Sequence, residues 1–142
     1  MDLSVIIVEY RDIEMLERAI LSVNNNITEI NKEIIVVSNS SYPTKKQIDI
    51  KLNFRGVQFI FNKNNLGFAK AVNQAIKMSS GEIVMLLNPD ARLLDNSFLR
   101  AIELMRDNKN IAVVGPMTID GKGQLHDTFR EFMSPITLIT RT

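Results

Sequence analysis

The chain has 142 residues, 45% of them hydrophobic and 23% charged, and 17 basic residues nearly balance 16 acidic ones to give a net charge of +1. This composition is typical of a globular domain with one core, and so small a charge does not attract nucleic acid or an anionic membrane. The absence of cysteine excludes disulfides, thiol catalysis and cysteine-bound metal, and is compatible with a reducing cytoplasm. The sequence contains no signal-peptide pattern and no apolar run of membrane-spanning length.

The apolar residues predict alternating strands and helices. Mostly apolar runs, typical of strands buried on both faces, occur at residues 3–8, 33–37, 57–61, 83–87 and 111–114, with Ser4, Glu33 and Gln58 as their polar members. Segments with helical spacing follow the first four, at about 13–23, 43–52, 66–76 and from 95 onward. This alternation implies parallel pairing through right-handed crossovers. The predicted fold is therefore α/β, with a doubly wound, mostly parallel sheet and helices on both faces.

The third predicted helix has an unusual polar residue. Leu66, Ala69, Val72 and Ile76 form its predicted apolar stripe, and Asn73 lies beside them. Asparagine has a poor helix propensity, and a buried amide must be hydrogen-bonded. We therefore expect Asn73 to be buried and hydrogen-bonded to the backbone of a neighbouring loop, with a ligand as the alternative partner.

The C-terminal segment follows a different pattern. Asp120–Gly123 has the composition of a turn, and the apolar residues between Phe129 and Ile139 have no clean period. Two interpretations remain open for this tail. It packs against a part of the protein beyond this sequence, or it folds back on the same sheet as a terminal helix.

Ligands of an open parallel sheet bind beyond the carboxyl ends of its strands, near the point where the strand order reverses. The residues that follow the predicted strands are therefore the candidates for a binding site. They are mostly polar, and they lie at 9–11, 38–41, 62–67 and 88–90.

Asn88-Pro89-Asp90 is the most informative of these segments. A carboxylate at the end of a buried strand suits a hard divalent cation, which could bridge the phosphates of a nucleoside diphosphate and neutralise charge on a departing phosphate. Pro89 restricts the turn and so fixes the direction of Asp90. The alternative is a simple local turn, which the tripeptide taken alone favours.

A second signal is the segment Asn65–Asn73, which leaves a strand and enters a helix through a glycine. Gly67 permits close approach of the backbone, and the free amides of a helix N-terminus attract anions. The alternative is that Gly67 only relieves a tight turn between the strand and the helix.

Several other chemistries do not match the sequence. It has no P-loop motif, and the Gly121-Lys122-Gly123 segment lacks both the third glycine and the strand-turn-helix context of a dinucleotide fingerprint. A phosphoacceptor receiver domain would need clustered acids after the first strand, where only Glu9 is present, and an aspartate after the third, where Asn62 stands.

Four strand-end segments together resemble glycosyltransferase family 2, and in particular its rhamnosyltransferase-type branch. They are residues 4–10, 33–41, 65–69 (Asn-Leu-Gly-Phe-Ala) and 86–90 (Leu-Leu-Asn-Pro-Asp), in the family's order and approximate spacing. The resemblance covers residues 3–118, and more loosely the region up to Arg130.

This resemblance implies a GT-A fold that binds a nucleoside-diphosphate sugar. The implied activity is that of an inverting hexosyltransferase, which transfers the sugar to a saccharide or lipid-linked acceptor in cell-surface polysaccharide synthesis. Residues 1–118 would be the nucleotide-sugar-binding domain and 119–142 the truncated start of the acceptor-side region. The implied location is the cytoplasm, including the inner face of the membrane, where peripheral association is compatible with the sequence.

The resemblance also implies roles for eight residues that follow strands. It places Val8 and Tyr10 beside the base, Ser38 and Asn39 near base and ribose, Asn65 and Gly67 near the nucleotide, and Asn88 with Asp90 at the family's Asp-x-Asp metal motif. The implied cofactor is a divalent cation, Mn²⁺ or Mg²⁺.

Three departures from the family pattern affect these expectations. Ser38 replaces the aspartate that usually grips the base, and Asn88 replaces the first acid of Asp-x-Asp, so Asp90 is the predicted metal ligand. The family's general base lies on a later segment than this chain contains, so no catalytic residue is assigned. Ser38 and the missing general base support the alternative of a non-catalytic nucleotide- or partner-binding module on a degenerate GT-A fold, whereas Asn88 is common in the resembling branch.

Overall fold

The computed structural model describes residues 1–40, 43, 45–54 and 56–126. Its elements are β1 (Leu3–Glu9), α1 (Ile13–Asn26), β2 (Lys32–Ser38), α2 (Lys45–Asn53), β3 (Val57–Phe61), α3 (Phe68–Met78), β4 (Ile83–Leu87), α4 (Phe98–Asp107), β5 (Thr118–Ile119) and β6 (Leu125–His126). They belong to two compact units, Met1–Ser97 and Phe98–Thr142. Ser41 and the predicted apolar tail at 129–139 lie outside the described residues. The predicted division at residue 118 stays a prediction.

The first unit is built on a parallel four-stranded sheet. Its strand order is β3-β2-β1-β4, with Ile6 of β1 opposite both Ile35 of β2 and Leu86 of β4. The chain moves outward from β1 to β3 and then returns to the other side of β1, so the strand order reverses between β1 and β4. Right-handed crossovers therefore place α1 and α2 on one face and α3 on the other. The predicted doubly wound α/β fold is confirmed.

Large strand residues and small helix residues form the core under α3. Ile6, Ile35 and Val37 pack against Ala71 and Ala75, and all five are buried. Alanine side chains let the helix axis approach the sheet closely, so the bulk of this layer comes from the strands.

The predicted apolar stripe of α3 is therefore partly wrong. Val72 is buried as expected, but Leu66 and Ile76 are exposed, because the face turned to the sheet is the one that contains the alanines. Asn73 lies on the exposed side of the helix, so the prediction that it is buried is also wrong.

β4 has its predicted bounds but not its predicted burial. Within the described residues it pairs with β1 alone, so it is an edge strand, and Leu86 is 51% exposed. The strand predicted at 111–114 is wrong: those residues form neither helix nor strand, and Val113 is 85% exposed. An apolar run becomes a strand only when a second strand pairs with its backbone, and 111–114 has no such partner in the described part of the chain.

The second unit contains α4 and a short antiparallel hairpin of β5 and β6. The carboxylate of Asp120 accepts hydrogen bonds from the backbone N–H groups of Lys122 (2.8 Å) and Gln124 (2.9 Å), and Gly123 has a φ of 78°. The turn predicted at 120–123 is confirmed. Among the helices in the described ranges, none combines the length and the apolar character needed to cross a bilayer.

A buried carboxylate joins the amino ends of the strands. Glu33 Oε1 accepts hydrogen bonds from Ser4 Oγ (2.6 Å) and from the N–H and Oγ of Ser80 (2.7 and 2.8 Å), and Glu33 Oε2 accepts one from Gln58 Nε2 (3.0 Å). Burial by itself raises the pKa of Glu33, but the hydrogen bonds from Ser4, Ser80 and Gly81 outweigh it and hold the pKa below its ordinary value. The ionised form of Glu33 therefore stabilises the fold.

Gly81 is required by close backbone packing against this cluster. A Cβ at position 81 would lie 2.5 Å from the backbone nitrogen of Ser4 and 2.7 Å from the carbonyl carbon of Leu3. We expect Gly81→Ala to lower the free energy of unfolding by about 1–3 kcal/mol, the usual cost of overpacking, as measured by urea denaturation. Gly115→Ala is the control: its Cβ would meet no atom within 4 Å, and we expect little change. Equal stabilities for the two variants would contradict the packing argument.

Glu33 also predicts a pH dependence of stability. Because its folded-state pKa is depressed, its contribution is present above the pKa of the unfolded chain and is lost as the pH falls through the folded pKa. We expect Glu33→Gln to be less stable than the parent at neutral pH, with the difference shrinking on acidification. Melting temperatures between neutral and acidic pH measure this, with exposed Glu29→Gln as the control. A difference that stays constant with pH would contradict the assignment.

Candidate functional site

The loops after the four parallel strands lie along one edge of the sheet. Their order along that edge is β3, β2, β1 and β4. Since neighbouring strands are about 4.8 Å apart, the edge extends about 14 Å from β3 to β4. This length is comparable with that of an extended nucleoside diphosphate, and the strand-order reversal lies within it, between β1 and β4.

A buried carboxylate organises the centre of this edge. Glu9 has no exposed surface; its Oε2 accepts hydrogen bonds from Ser38 Oγ and Gln47 Nε2, both at 2.8 Å. Its Oε1 accepts from the backbone N–H of Asp12 at 3.2 Å and from Ser40 Oγ at 3.1 Å. One side chain thus connects the ends of β1 and β2 with α2 and with the loop that leads into α1.

A second polar group holds the loops after β2 and β3. Asn62 Nδ2 donates hydrogen bonds to Asn39 Oδ1 and to Gln74 Oε1 of α3, both at 2.9 Å, and Gln74 Nε2 donates to Asn62 Oδ1 at 3.1 Å. Asn39 and Asn62 are both buried. This network fixes the two loops to α3 and to each other.

Two of the predicted site residues lie within these networks. Ser38 has no exposed surface, and its hydroxyl donates to Glu9 and accepts from Gln47 Nε2 at 2.8 Å. Asn39 is 2% exposed, and its side-chain oxygen is bonded to Asn62. Their buried side chains therefore fix the loops of this edge, and they would affect a ligand through the loop residues that they hold in place.

Four other predicted residues lie nearer the surface. Tyr10 is 45% exposed and Val8 is partly buried at the end of β1. Exposed Asn65 accepts a hydrogen bond from the backbone N–H of Gly67 at 2.8 Å. Gly67 is the residue before α3, has a φ of 79° and offers no side chain to cap the helix amides. Glycine suits this backbone conformation, which explains its place at the start of the helix.

Asn88 and Asp90 follow β4, and both are exposed. Their turn is closed by a hydrogen bond from the N–H of Ala91 to the carbonyl of Asn88 at 3.1 Å. Ile7 lies opposite Leu87 in the sheet, so Val8 and Asn88 are the next residues on adjacent strands. The structure thus brings Asn88 beside the end of β1, at the reversal of strand order.

The oxygen atoms of Asn88 and Asp90 fit a cation that is shared with a ligand, and not a fully protein-bound ion. In the described residues no group of three or more acidic or histidine side chains is placed to hold a metal. Mg²⁺ and similar ions commonly use one or two carboxylates and complete their shell with phosphate oxygens and water. One carboxylate with a neighbouring amide is compatible with that kind of site.

A groove elsewhere in the first unit is a poorer candidate. It has a volume of about 360 Å³ and lies between α1 and residues 92–94, which are tied to the helix by Ser22 and Asn26. Its lining contains Arg18 but no carboxylate and none of the predicted site residues. We therefore place the candidate site at the carboxyl edge.

Several residues that organise this edge had no predicted structural role, although Glu9 and Asn62 lie in the candidate segments 9–11 and 62–67. Glu9, Gln47, Asn62 and Gln74 are separated by up to 65 positions but form the two buried networks. One signal was present for Glu9: it directly follows a run predicted to be buried on both faces, as Ser38 does. The pairing of Glu9 with Ser38 across the sheet required the register, which the sequence alone does not give.

A parallel sheet with a polar, loop-lined carboxyl edge at its reversal point belongs to the class of open α/β proteins that bind ligands at this edge. The model of "Glycosyl transferase family 2" matches residues 4–141, nearly the whole chain. The chain belongs to this family. It is also similar to the dolichol-phosphate mannosyltransferase of Pyrococcus furiosus, with 25% identity over 135 residues that cover 94% of this chain and 38% of that protein. The chain thus spans well under half the length of this relative.

Solved structures show the same fold. S. aureus TarS matches with a TM-score of 0.63 and 23% identity, over 75% of this chain and 20% of that one. The mannosyltransferase PcManGT from Pyrobaculum calidifontis, in complex with GDP-Man and Mn²⁺, matches with a TM-score of 0.58 and 20% identity, over 68% of this chain and 30% of that one. The GT-A fold predicted from the sequence is confirmed. β4 lies at the edge of the sheet, whereas the sequence predicted a strand buried on both faces. The family match includes β4, because it extends over residues 4–141, so the family assignment does not depend on the burial of this strand.

The Glu9 network predicts a large effect of a small substitution. Glu9→Gln replaces one buried carboxylate oxygen with an NH₂ group. The groups around that position are hydrogen-bond donors, so the new NH₂ group would face donors and find no acceptor. We expect the free energy of unfolding to fall by about 1–3 kcal/mol, measured by urea denaturation. Glu29→Gln is the control, because Glu29 is exposed. Equal stability of the two variants would show that the Glu9 carboxylate is not needed at this edge.

Proposed function

We propose that this chain is the donor-binding part of an inverting hexosyltransferase. The reaction takes a sugar from a nucleoside diphosphate and joins it to a saccharide or lipid-linked acceptor, in cell-surface polysaccharide synthesis at the inner face of the membrane. The observation on which the proposal depends is the gathering of the candidate residues at one edge, with the turn that contains Asp90 beside the end of β1.

The nucleoside would lie over the ends of β1 and β2. The exposed ring of Tyr10 offers a flat surface for a base beside Val8, and stacking on an aromatic ring accepts any base. Asn65 and the backbone at Gly67 lie farther along the same edge, where they would contact the nucleotide. Ser38 and Asn39 would act from below by fixing the loops, because their side chains are buried.

The diphosphate would lie toward β4, where Asp90 and Asn88 would hold Mn²⁺ or Mg²⁺. When bound, such an ion supplies positive charge that stabilises a departing nucleoside diphosphate. The structure of PcManGT with GDP-Man and Mn²⁺ supports this choice by analogy. The task of this chain would be to orient the donor so that its anomeric carbon faces the acceptor.

We assign no general base, so we expect this chain to bind a donor without turning it over. Inverting transfer requires a carboxylate near the acceptor hydroxyl, and no described residue has such a position in our proposal. The rhamnosyltransferase-type branch stays a prediction from the Asn-Leu-Gly-Phe-Ala and Asn-Pro-Asp segments. Apart from Ser38 and the unassigned general base, no observation favours the alternative of a non-catalytic module.

Thermal melting with nucleotides tests the proposal. We expect UDP, dTDP or GDP to raise the melting temperature more when Mn²⁺ or Mg²⁺ is present than in its absence. The shift without metal is expected to be smaller or zero. A ligand at about 100 times its Kd stabilises a protein by roughly 2.7 kcal/mol, which corresponds to a shift of several degrees. Asp90→Ala should abolish the part of the shift that depends on metal.

Asp49→Ala is the matched control, since Asp49 is an exposed aspartate on α2 and has no role in the proposed site. Its nucleotide shift should equal that of the parent protein when each is compared with its own ligand-free form. The donor-binding proposal fails if none of the nucleotides changes the melting temperature with either metal. A shift that ignores both the metal and Asp90 would favour the non-catalytic module.

A further inference from the structure

The loop after β1 contains a strained backbone conformation. Arg11 has a φ of 62°, and it is the non-glycine residue with positive φ in the described part of the chain. The left-handed region of backbone conformation is unfavourable for residues other than glycine, asparagine and aspartate. Such strain persists only where neighbouring groups enforce it, and it is frequent at binding sites.

The Glu9 network enforces this conformation from both sides. The backbone N–H of Arg11 donates to Ser40 Oγ at 2.9 Å, and Ser40 Oγ in turn donates to Glu9. The N–H of the next residue, Asp12, donates to the same carboxylate at 3.2 Å. A buried, fully bonded group therefore holds the backbone that presents the exposed side chain of Arg11.

The guanidinium group of Arg11 lies close to the proposed nucleoside surface. Its central carbon is 4.9 Å from the centroid of the Tyr10 ring. Within the described residues, this ring contact is the interaction that the guanidinium makes, and it has no carboxylate partner there. Among the described residues, the charge at the end of β1 is therefore not neutralised by a carboxylate.

The proposed metal site creates a need for that charge. Asp90 is the one carboxylate in the turn after β4, since position 88 is an asparagine. A single carboxylate holds a divalent cation weakly, whereas a diphosphate has more than one negative charge to balance. β1 is the strand beside β4, so Arg11 and Asp90 follow adjacent strands at the point where the order reverses.

We propose that Arg11 is a fixed cationic ligand of the nucleoside diphosphate. It binds the phosphate oxygens through its planar donor group and gives the site a part of its affinity that does not need metal. The Tyr10 ring holds the guanidinium in place before the ligand arrives. This inference rests on the proposed donor-binding function and adds a residue to it.

Calorimetric titration with UDP, dTDP and GDP, each in Mn²⁺ and in EDTA, tests the inference. We expect the preferred nucleotide to bind the parent chain in both conditions, more weakly in EDTA. Arg11→Gln should weaken binding in Mn²⁺ by about tenfold or more, the size expected for charge-assisted hydrogen bonds, and should remove the binding seen in EDTA. Arg18→Gln, an exposed arginine on α1, should leave both affinities unchanged.

The outcomes separate the two proposals. If Arg11→Gln binds as the parent does while Asp90→Ala abolishes binding in Mn²⁺, the role of Arg11 is wrong and donor binding stands. If the parent chain binds no nucleotide in EDTA, the metal-independent part is wrong. If it binds none in either condition, the donor-binding function fails, and the role of Arg11 fails with it.

A second variant separates the charge from the strained backbone. Arg11→Asn removes the guanidinium but places a residue that tolerates positive φ, so we expect it to melt at a higher temperature than Arg11→Gln. Both variants should bind nucleotide equally weakly. If Arg11→Asn regains the affinity of the parent, the loop conformation and not the guanidinium binds the ligand, and the proposal is overturned.

Discussion

A carboxylate without access to water is stable only when hydrogen bonds replace its hydration, and Glu9 is such a group at the edge where the loops gather. Its donors come from the end of β2, from α2 and from the loop before α1. Moving any of these segments would leave a buried charge partly unsatisfied, at a cost of about 1–3 kcal/mol for each lost bond. The positions of Tyr10 and of the residues after it therefore follow from this group.

Each end of the sheet contains a buried carboxylate with several hydrogen-bond donors, but the two carboxylates have different effects. At the amino end, Glu33 is bonded to Ser4, Ser80 and Gln58, and the residues around it close tightly enough that Gly81 has no room for a side chain. At the carboxyl end, the partners of Glu9 lie at the end of β2, in α2 and in two loops whose neighbouring residues are exposed. The first network contributes stability, and the second holds surface groups in fixed positions, as a binding site requires.

The strand bounds that depend on the local pattern of apolar and polar residues could be predicted from the sequence. The bounds of β3 and β4 were predicted to the residue, because each is a mostly apolar run of five residues between Gly, Glu or Asn neighbours. The carboxyl-edge location of the candidate residues also followed, because parallel strands direct all their carboxyl ends the same way. Burial was less predictable: the exposed edge of β4 and the missing strand at 111–114 depend on pairing partners, which a local pattern does not contain.

The organising contacts of the site were not predictable for the same physical reason. Glu9 meets Ser38 and Gln47 across 29 and 38 positions, so the contacts depend on strand register and on the path of α2. A glutamate after a strand is most often solvated, and nothing local distinguishes a buried one. The strained backbone of Arg11 is likewise a product of the network around it, since neither Tyr10 nor Asp12 predicts a positive φ.

The register explains the departure at position 38. Glu9 lies directly opposite Ser38, and the Ser38 hydroxyl donates to Glu9 Oε2 at 2.8 Å. An aspartate here, as the family resemblance leads us to expect, would put a second carboxylate in contact with a buried one, and two such charges strongly disfavour each other. A serine supplies the donor that Glu9 needs. Ser38 and Glu9 therefore form one coupled pair, in which the first strand supplies the carboxylate and the second strand its donor. Because that charge is buried, it fixes the loop that contains Tyr10 and Arg11 and does not itself reach a ligand.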